Sequence, residues 1–262
     1  MKTLIVGCGN MGGAMLAGWL AGGADPTDFT VVDPVLAEVP SGVKLLRQLP
    51  QNHFDAILLG IKPQGLGELA PKLAPVTPGA LILSILAGVD LDVLASRFPE
   101  AAGYVRIVPN LAAAIGKSPI ALVERGLVAA QRDELLALML PLGTPEWLAD
   151  ESMFDLVTAL AGSGPAFVYR FIDALSEGAS ELGLPDGQAQ RLAVAMVEGA
   201  AALAAASPHA PAELARRVAS PGGVTQVGLD ILDRQQALAR LVEDTLRGAA
   251  ERSAEMAAAA QG

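Results

Sequence analysis

The hexapeptide GCGNMG at residues 7–12 sets three glycines at the spacing G-x-G-x-x-G, after the apolar run TLIV and before a stretch with apolar residues at helical spacing. In that setting the first glycine permits a tight turn. The second lets a ligand approach the backbone, and the third lets helix and strand pack closely. A pyrophosphate can then sit on the helix N-terminus, where backbone N–H groups and the helix dipole favour an anion. About 20 residues further on, where a dinucleotide site carries its ribose acid, Asp33 ends the run TVVD. A carboxylate there accepts hydrogen bonds from the adenosine ribose hydroxyls. VVDPVLAEV contains no arginine to offset it, so the segment favours NADH over NADPH.

The chain lacks an obvious acid–base residue. His53 precedes a strand and His209 follows a proline, neither a setting for a catalytic imidazole. No lysine follows Lys117, and the single cysteine, Cys8, lies inside the glycine loop. Reducing a ketone needs a strong proton donor as hydride arrives, whereas a protonated imine is already an electrophile. The inventory therefore favours a C=N substrate. GSGPAF (residues 162–167) opens a helix, and SPGGVT (220–225) joins two helices. Each suits carboxylate capture by backbone amides and hydroxyls. Each equally suits a plain capped helix start beside a proline turn.

These residues need elements to hold them. Compact apolar runs at residues 3–6, 30–32, 56–61, 80–85 and 104–107 read as strands, and 11–21, 65–73 and 91–98 as helices between them. Near-continuous apolar strands alternating with helices indicate a parallel sheet covered on both faces. After about Asp150 the strand signals stop. Helices are expected at 165–182, 186–206 and 211–219, then from 226 to 259 with a break near Asp233. The fold class is therefore α/β: a Rossmann-type dinucleotide-binding domain over residues 1–150, then an all-helical substrate-binding and dimerisation domain over 151–262. The run LAVAMVEGAAALAAA is apolar nearly all round, and so short a helical region can bury it best against a second copy.

Composition excludes several classes. With 262 residues, 52% hydrophobic, the chain can bury ample core and is not disordered. One cysteine rules out a disulfide framework or a cysteine-based zinc site, no metal is expected, and a reducing cytoplasm fits. A net charge of −10 argues against nucleic acid or an anionic membrane as partner. Glycines at 7, 9, 12 and 13 interrupt the N-terminal apolar stretch, so it does not read as a signal peptide. The uncharged run 73–89 is broken by Pro75, Pro78, Gly79 and Gly88 and is not a membrane span.

The motifs GCGNMG, GIKPQ (60–64), SILAGV (84–89), RIVPN (106–110), DLVTALAGSGPAF (155–167), ELGLP (181–185) and VASPGGVTQVGLDIL (218–232) stand in the order found in one family. Through them the chain resembles pyrroline-5-carboxylate reductases along essentially its whole length; Arg252 and Ser253 match as well. The resemblance implies NADH- or NADPH-dependent reduction of L-1-pyrroline-5-carboxylate to L-proline. It implies cofactor binding by Val6, Gly7, Cys8, Gly9, Asn10, Met11 and Gly12, by Gly60, Ile61, Lys62 and Pro63, by Ile85, Leu86 and Ala87, and by Asn110. It implies substrate binding by Glu151, Ser220, Gly222, Gly223, Val224 and Thr225, with Thr225 contacting the ring nitrogen as the catalytic hydroxyl. The plain alternative is that Thr225 only N-caps the next helix. Interlocked homodimers and decamers of them are the implied assemblies. The family's MPNTP is VPNLA here (108–112), and its usual Gln-Thr pair is Ala195-Met196. A β-hydroxyacid or 6-phosphogluconate-type dehydrogenase would need a lysine in the helical half. A non-catalytic NAD-binding regulator would have no use for both SPGGVT and GSGPAF.

Overall fold

The structure is a computed structural model that describes residues 1–261, without the side chains of residues 259–261. Eight strands form one sheet: β1 (Thr3–Val6), β2 (Phe29–Val32), β3 (Lys44–Leu46), β4 (Ala56–Leu59), β5 (Leu81–Ser84), β6 (Gly103–Val108), β7 (Ser118–Arg125) and β8 (Gly143–Trp147). Their order is β3-β2-β1-β4-β5-β6-β7-β8. Every neighbouring pair is parallel except β6 and β7. Chain direction across the sheet reverses between β1 and β4, and ligands of doubly wound folds bind outside the carboxyl ends of the strands at that point.

The central strands are buried on both faces, as their unbroken apolar sequences require. Leu4, Val6, Ile57, Leu59 and Ile82 enter one core layer, and Ile5, Leu58 and Leu83 the other. Helix α1 (Asn10–Ala21) packs on the second layer, where Trp19 stacks on Phe29 at 5.2 Å and donates its indole N–H to the Leu138 carbonyl at 2.7 Å. Gly18 makes the approach close: a Cβ there would lie 2.0 Å from the Ala113 carbonyl oxygen. Helices α2 (Leu66–Leu73), α3 (Leu91–Arg97) and α4 (Ala129–Met139) complete the layers.

The five expected strands are present, and β3, β7, β8 and α4 add to them. β3 is three residues long, and β7 and β8 contain Pro119, Pro145 and charged residues that suit a sheet margin. Packing divides the chain after Ser163 rather than at the expected 150/151 boundary. The reason is local: α5 (Phe154–Val157) and the π-helical turn Thr158–Gly162 bury Phe154, Ala159 and Ala161 with the sheet unit. Residues 248–261 also pack with that unit. There the Ser253 hydroxyl donates to Asp155 at 2.7 Å, and a Cβ on Gly88 would meet the Ala257 backbone at 2.7 Å.

The second unit, residues 164–247, is helical: α6 (Gly164–Glu181), α7 (Asp186–Ala206), α8 (Pro211–Val218), α9 (Val224–Leu232) and the first part of α10 (Ala237–Gln261). The expected break after α9 is real, with Gln235 and Gln236 at positive φ. Of its long helices α7 buries just Ala189 and Ala193, and α6 buries none of its residues. Tyr169, Phe171, Leu192, Leu203 and Leu241 stand exposed. By length and composition α7 could cross a membrane, and 11% of its most apolar window is buried within the chain.

Candidate active site

The glycine loop is built by steric exclusion. Gly7 sits at φ +83° with its amide donating to the Val32 carbonyl at 2.9 Å. A Cβ on Gly7 would lie 2.8 Å from Ile61 Cγ2, one on Gly60 would lie 2.4 Å from the Gly7 oxygen, and one on Gly12 3.0 Å from the same oxygen. Gly7 and Gly60 are demanded by the chain itself, because the loops after β1 and β4 touch, and Gly12 keeps the helix start close to the Gly7 carbonyl. Gly9 is different: a Cβ there would meet nothing within 4 Å. It is the N-cap of α1, no side chain caps that helix, and its first turn holds no acid. The result is open space at a positive helix end, which fits a pyrophosphate.

Val6 ends β1 in the core, while Asn10 and Met11 line the mouth of the loop with at least partial exposure. Cys8 is buried, and burial first, then the Asp33 charge, pushes its thiol up to about 11. It stays a neutral thiol at physiological pH and supplies the loop with its backbone. Asp33, 7% exposed, accepts amide hydrogens from Cys8 at 3.0 Å and from Val35 and Leu36 at 2.9 Å each. Burial alone would raise its pKa. Those three amides and the nearby Arg47 guanidinium outweigh burial and leave the carboxyl below its ordinary value.

Arg47 was not anticipated from the segment around Asp33. Parallel pairing sets Val32 opposite Leu46, so the next residues, Asp33 and Arg47, share a level at the sheet's carboxyl edge. Arg47 Nη1 donates to the Asp33 carbonyl at 2.8 Å and the Leu36 carbonyl at 2.6 Å. The absence of a compensating arginine therefore holds for VVDPVLAEV but not for the folded edge.

The remaining expected cofactor residues gather at the same edge. Lys62 is exposed and leads into a short turn begun by Pro63, after Gly60 and the half-buried Ile61. After β5, Ile85 is half-buried and Ala87 exposed, but Leu86 turns its side chain into the core and has only backbone to offer. Asn110 is also committed internally: its Oδ1 caps the Ala112 amide at 2.9 Å and its Nδ2 donates to the Ala161 carbonyl at 3.0 Å. It joins the end of β6 to the π-helical turn, the kind of bulge that recurs at functional sites.

Glu151 lies in a network that the sequence did not reveal. Its Oε1 accepts Arg106 Nη1 at 2.6 Å and the Leu91 amide at 3.0 Å. Arg106 comes from β6, is buried, and lies 3.6 Å over the Phe154 ring, with Nε unpaired among the described residues. Asp90, Arg106, Glu151 and Asp155 line a cavity of about 260 Å³. The acid thus fastens the segment before α5 to β6 and α3.

The second set of expected residues belongs to the helical unit. Gly222 takes φ +69°, and the Gly223 amide closes the turn onto the Ser220 carbonyl at 2.9 Å. Gly222 is favoured by its left-handed φ, while a Cβ on Gly223 would lie 3.1 Å from the Ser220 carbonyl oxygen and would need the Ser220 hydroxyl to turn aside. Gly223 is the N-cap of α9 with no side-chain cap, Val224 is its exposed first residue, and Thr225 is its second. Thr225 therefore does not cap the helix, and among the described residues its half-buried hydroxyl has no partner. The amides at the start of α9 are left open, as at any uncapped helix start. GSGPAF lies where the packing units divide, with the Ser163 amide already bonded to the Thr158 carbonyl at 3.0 Å.

Comparison with known proteins adds four results. The family model for pyrroline-5-carboxylate reductase dimerisation matches residues 151–256. A pyrroline-5-carboxylate reductase of Pseudomonas aeruginosa is 33% identical over 98% of this chain and 97% of its own length. Among solved structures, a pyrroline-5-carboxylate reductase from Coxiella burnetii superposes with TM-score 0.90 at 26% identity, covering 97% of each chain. A Plasmodium falciparum pyrroline carboxylate reductase with NADP bound shares the fold at TM-score 0.79 and 22% identity, covering 98% of each chain.

Proposed function

The chain belongs to the pyrroline-5-carboxylate reductase family, and we infer that it reduces the C=N bond of L-1-pyrroline-5-carboxylate to give L-proline, with NADH or NADPH as hydride donor. The observation that carries this reading is the open space at Gly9, at an uncapped helix start in a loop whose Gly7 and Gly60 the chain needs for its own packing. The bound dinucleotide supplies the hydride. The chain's residues do the rest: the amides at the start of α1 hold the pyrophosphate, and Gly60 to Pro63 and Ile85 to Ala87 shape the edge beside it.

Substrate binding falls to the loop before α9. Its open amides at Val224 and Thr225 suit the carboxylate, and the turn at Ser220, Gly222 and Gly223 presents them. Anchoring the carboxylate fixes which face of the ring is offered to hydride. The unpartnered Thr225 hydroxyl can donate to the ring nitrogen as its lone pair forms, with no perturbed pKa required. Nothing in the helical half could serve as the lysine acid of a β-hydroxyacid dehydrogenase, since no lysine follows Lys117.

The helical region is a dimerisation region, which accounts for a unit whose long helices bury so little on their own. Decamers built from such dimers, and a cytoplasmic protein with no membrane or nucleic-acid partner, complete the reading. The −10 net charge and the lone buried thiol support it. The test is oxidation of NADH or NADPH with pyrroline-5-carboxylate, run beside a panel of β-hydroxy and sugar acids. Turnover confined to the imine supports the assignment, and turnover of a hydroxy acid would replace it.

A further inference from the structure

We propose that Arg47 reads the adenosine ribose of the cofactor, binding a 2′-phosphate so that the chain takes NADPH at least as readily as NADH. The inference rests on the dinucleotide reading of the glycine loop and extends it to one side chain. Asp33 by itself points the other way, but its carboxylate is largely occupied. A carboxylate offers about four acceptor sites, and the amides of Cys8, Val35 and Leu36 take three. Asp33 fastens the loops and has little left for ribose hydroxyls.

Arg47 has the opposite arrangement. It is exposed, and register carries it to the level of Asp33 at the carboxyl edge of the sheet, the edge where the ribose lies in this fold. One nitrogen, Nη1, is pinned by two backbone carbonyls. Among the described residues Nε and Nη2 have no partner. A guanidinium fixed through one nitrogen presents a preformed fork to a phosphate at little cost in side-chain freedom. Its charge also offsets that of Asp33, the feature that would otherwise repel the phosphate.

The test is calorimetric titration of the full-length protein with adenosine 2′,5′-bisphosphate and with AMP. The wild-type protein should bind the bisphosphate about tenfold or more tightly than AMP, the effect of one charge-assisted pair. In Arg47→Gln, which keeps one donor for the carbonyls, that preference should fall to about threefold or less, with AMP affinity within about twofold of wild type. Arg47→Ala should behave likewise. Equal wild-type affinities for the two nucleotides, or a preference that survives in both variants, would overturn the role of Arg47. Failure of the wild type to bind either nucleotide would instead remove the dinucleotide reading beneath it.

Discussion

The Asp33 carboxylate accepts the backbone amide hydrogen of Cys8 at 3.0 Å, so the acid at the end of β2 holds the loop at the end of β1 in place. Two further amides share the same carboxylate. Asp33→Asn turns one acceptor into a donor facing those amides and removes the charge from the rest. A loss of about 1.5–3 kcal/mol at neutral pH follows, read as a lower thermal midpoint. The pH dependence has a definite sign. Because the folded pKa lies below the ordinary 3.8, the contribution is complete above that value and is lost as pH falls through the folded pKa. Wild type and variant should therefore converge in strong acid. A variant as stable as wild type at pH 7 would remove the clip.

Gly9 and Gly60 separate ligand from fold. A Cβ at Gly60 collides with the Gly7 oxygen at 2.4 Å, while one at Gly9 meets nothing within 4 Å. Gly60→Ala should cost about 1–3 kcal/mol of stability through overpacking. Gly9→Ala should melt like wild type yet weaken dinucleotide affinity about tenfold or more by blocking close approach to the helix start. Tight NADH or NADPH binding by folded Gly9→Ala would mean that this helix start is not the pyrophosphate site.

These residues show what could be read in advance. The place of GCGNMG between strand and helix and of Asp33 at the end of β2 is legible because the pattern is local: a glycine spacing, then an acid ending the next strand. Arg47 was not, since it reaches Asp33 through the register of β3, a three-residue strand with no alternation to reveal it. β7 and β8 escaped for a related reason, as prolines and charges at a sheet margin mask the strand pattern. Glu151 was named through the family resemblance alone, and its partner Arg106 lies 45 residues away, so only folding brings the two together.

Glu151 therefore has a test that divides position from contact. Its ion pair holds a buried arginine whose Nε has no partner among the described residues. Glu151→Gln should cost about 1.5–3 kcal/mol, since it weakens a charge-assisted bond and leaves the guanidinium less compensated. KM for the imino acid should move by about threefold or less, because Glu151 Oε1 is already engaged by Arg106 and the Leu91 amide. A large rise in KM with unchanged melting would assign Glu151 to the substrate instead.

The helical unit yields a prediction about assembly. Exposed Tyr169, Phe171, Leu192, Leu203 and Leu241 cannot remain in water as a matter of course. Leu203→Glu places a charge on such a face and should shift the protein from dimer toward monomer in light scattering at micromolar concentration. A dimer of undiminished affinity would show that Leu203 lies outside the interface.

Thr225 allows the sharpest test of mechanism. The rival account made it the N-cap of α9, a role worth about 1 kcal/mol. The structure gives that place to Gly223 and leaves the Thr225 hydroxyl without a partner among the described residues. Thr225→Ala should thus leave the melting midpoint nearly unchanged. If the hydroxyl donates to the ring nitrogen as hydride arrives, the same variant should lose about ten- to a thousandfold in kcat/KM, the worth of one transition-state hydrogen bond. Dinucleotide affinity should not move, because the residue acts on the imine alone. Thr225→Val keeps the shape without the donor and should match Thr225→Ala, whereas Thr225→Ser should recover much of the rate. Thr225→Asn carries a donor at the wrong reach, so full activity in that variant would show that no placed hydroxyl is needed.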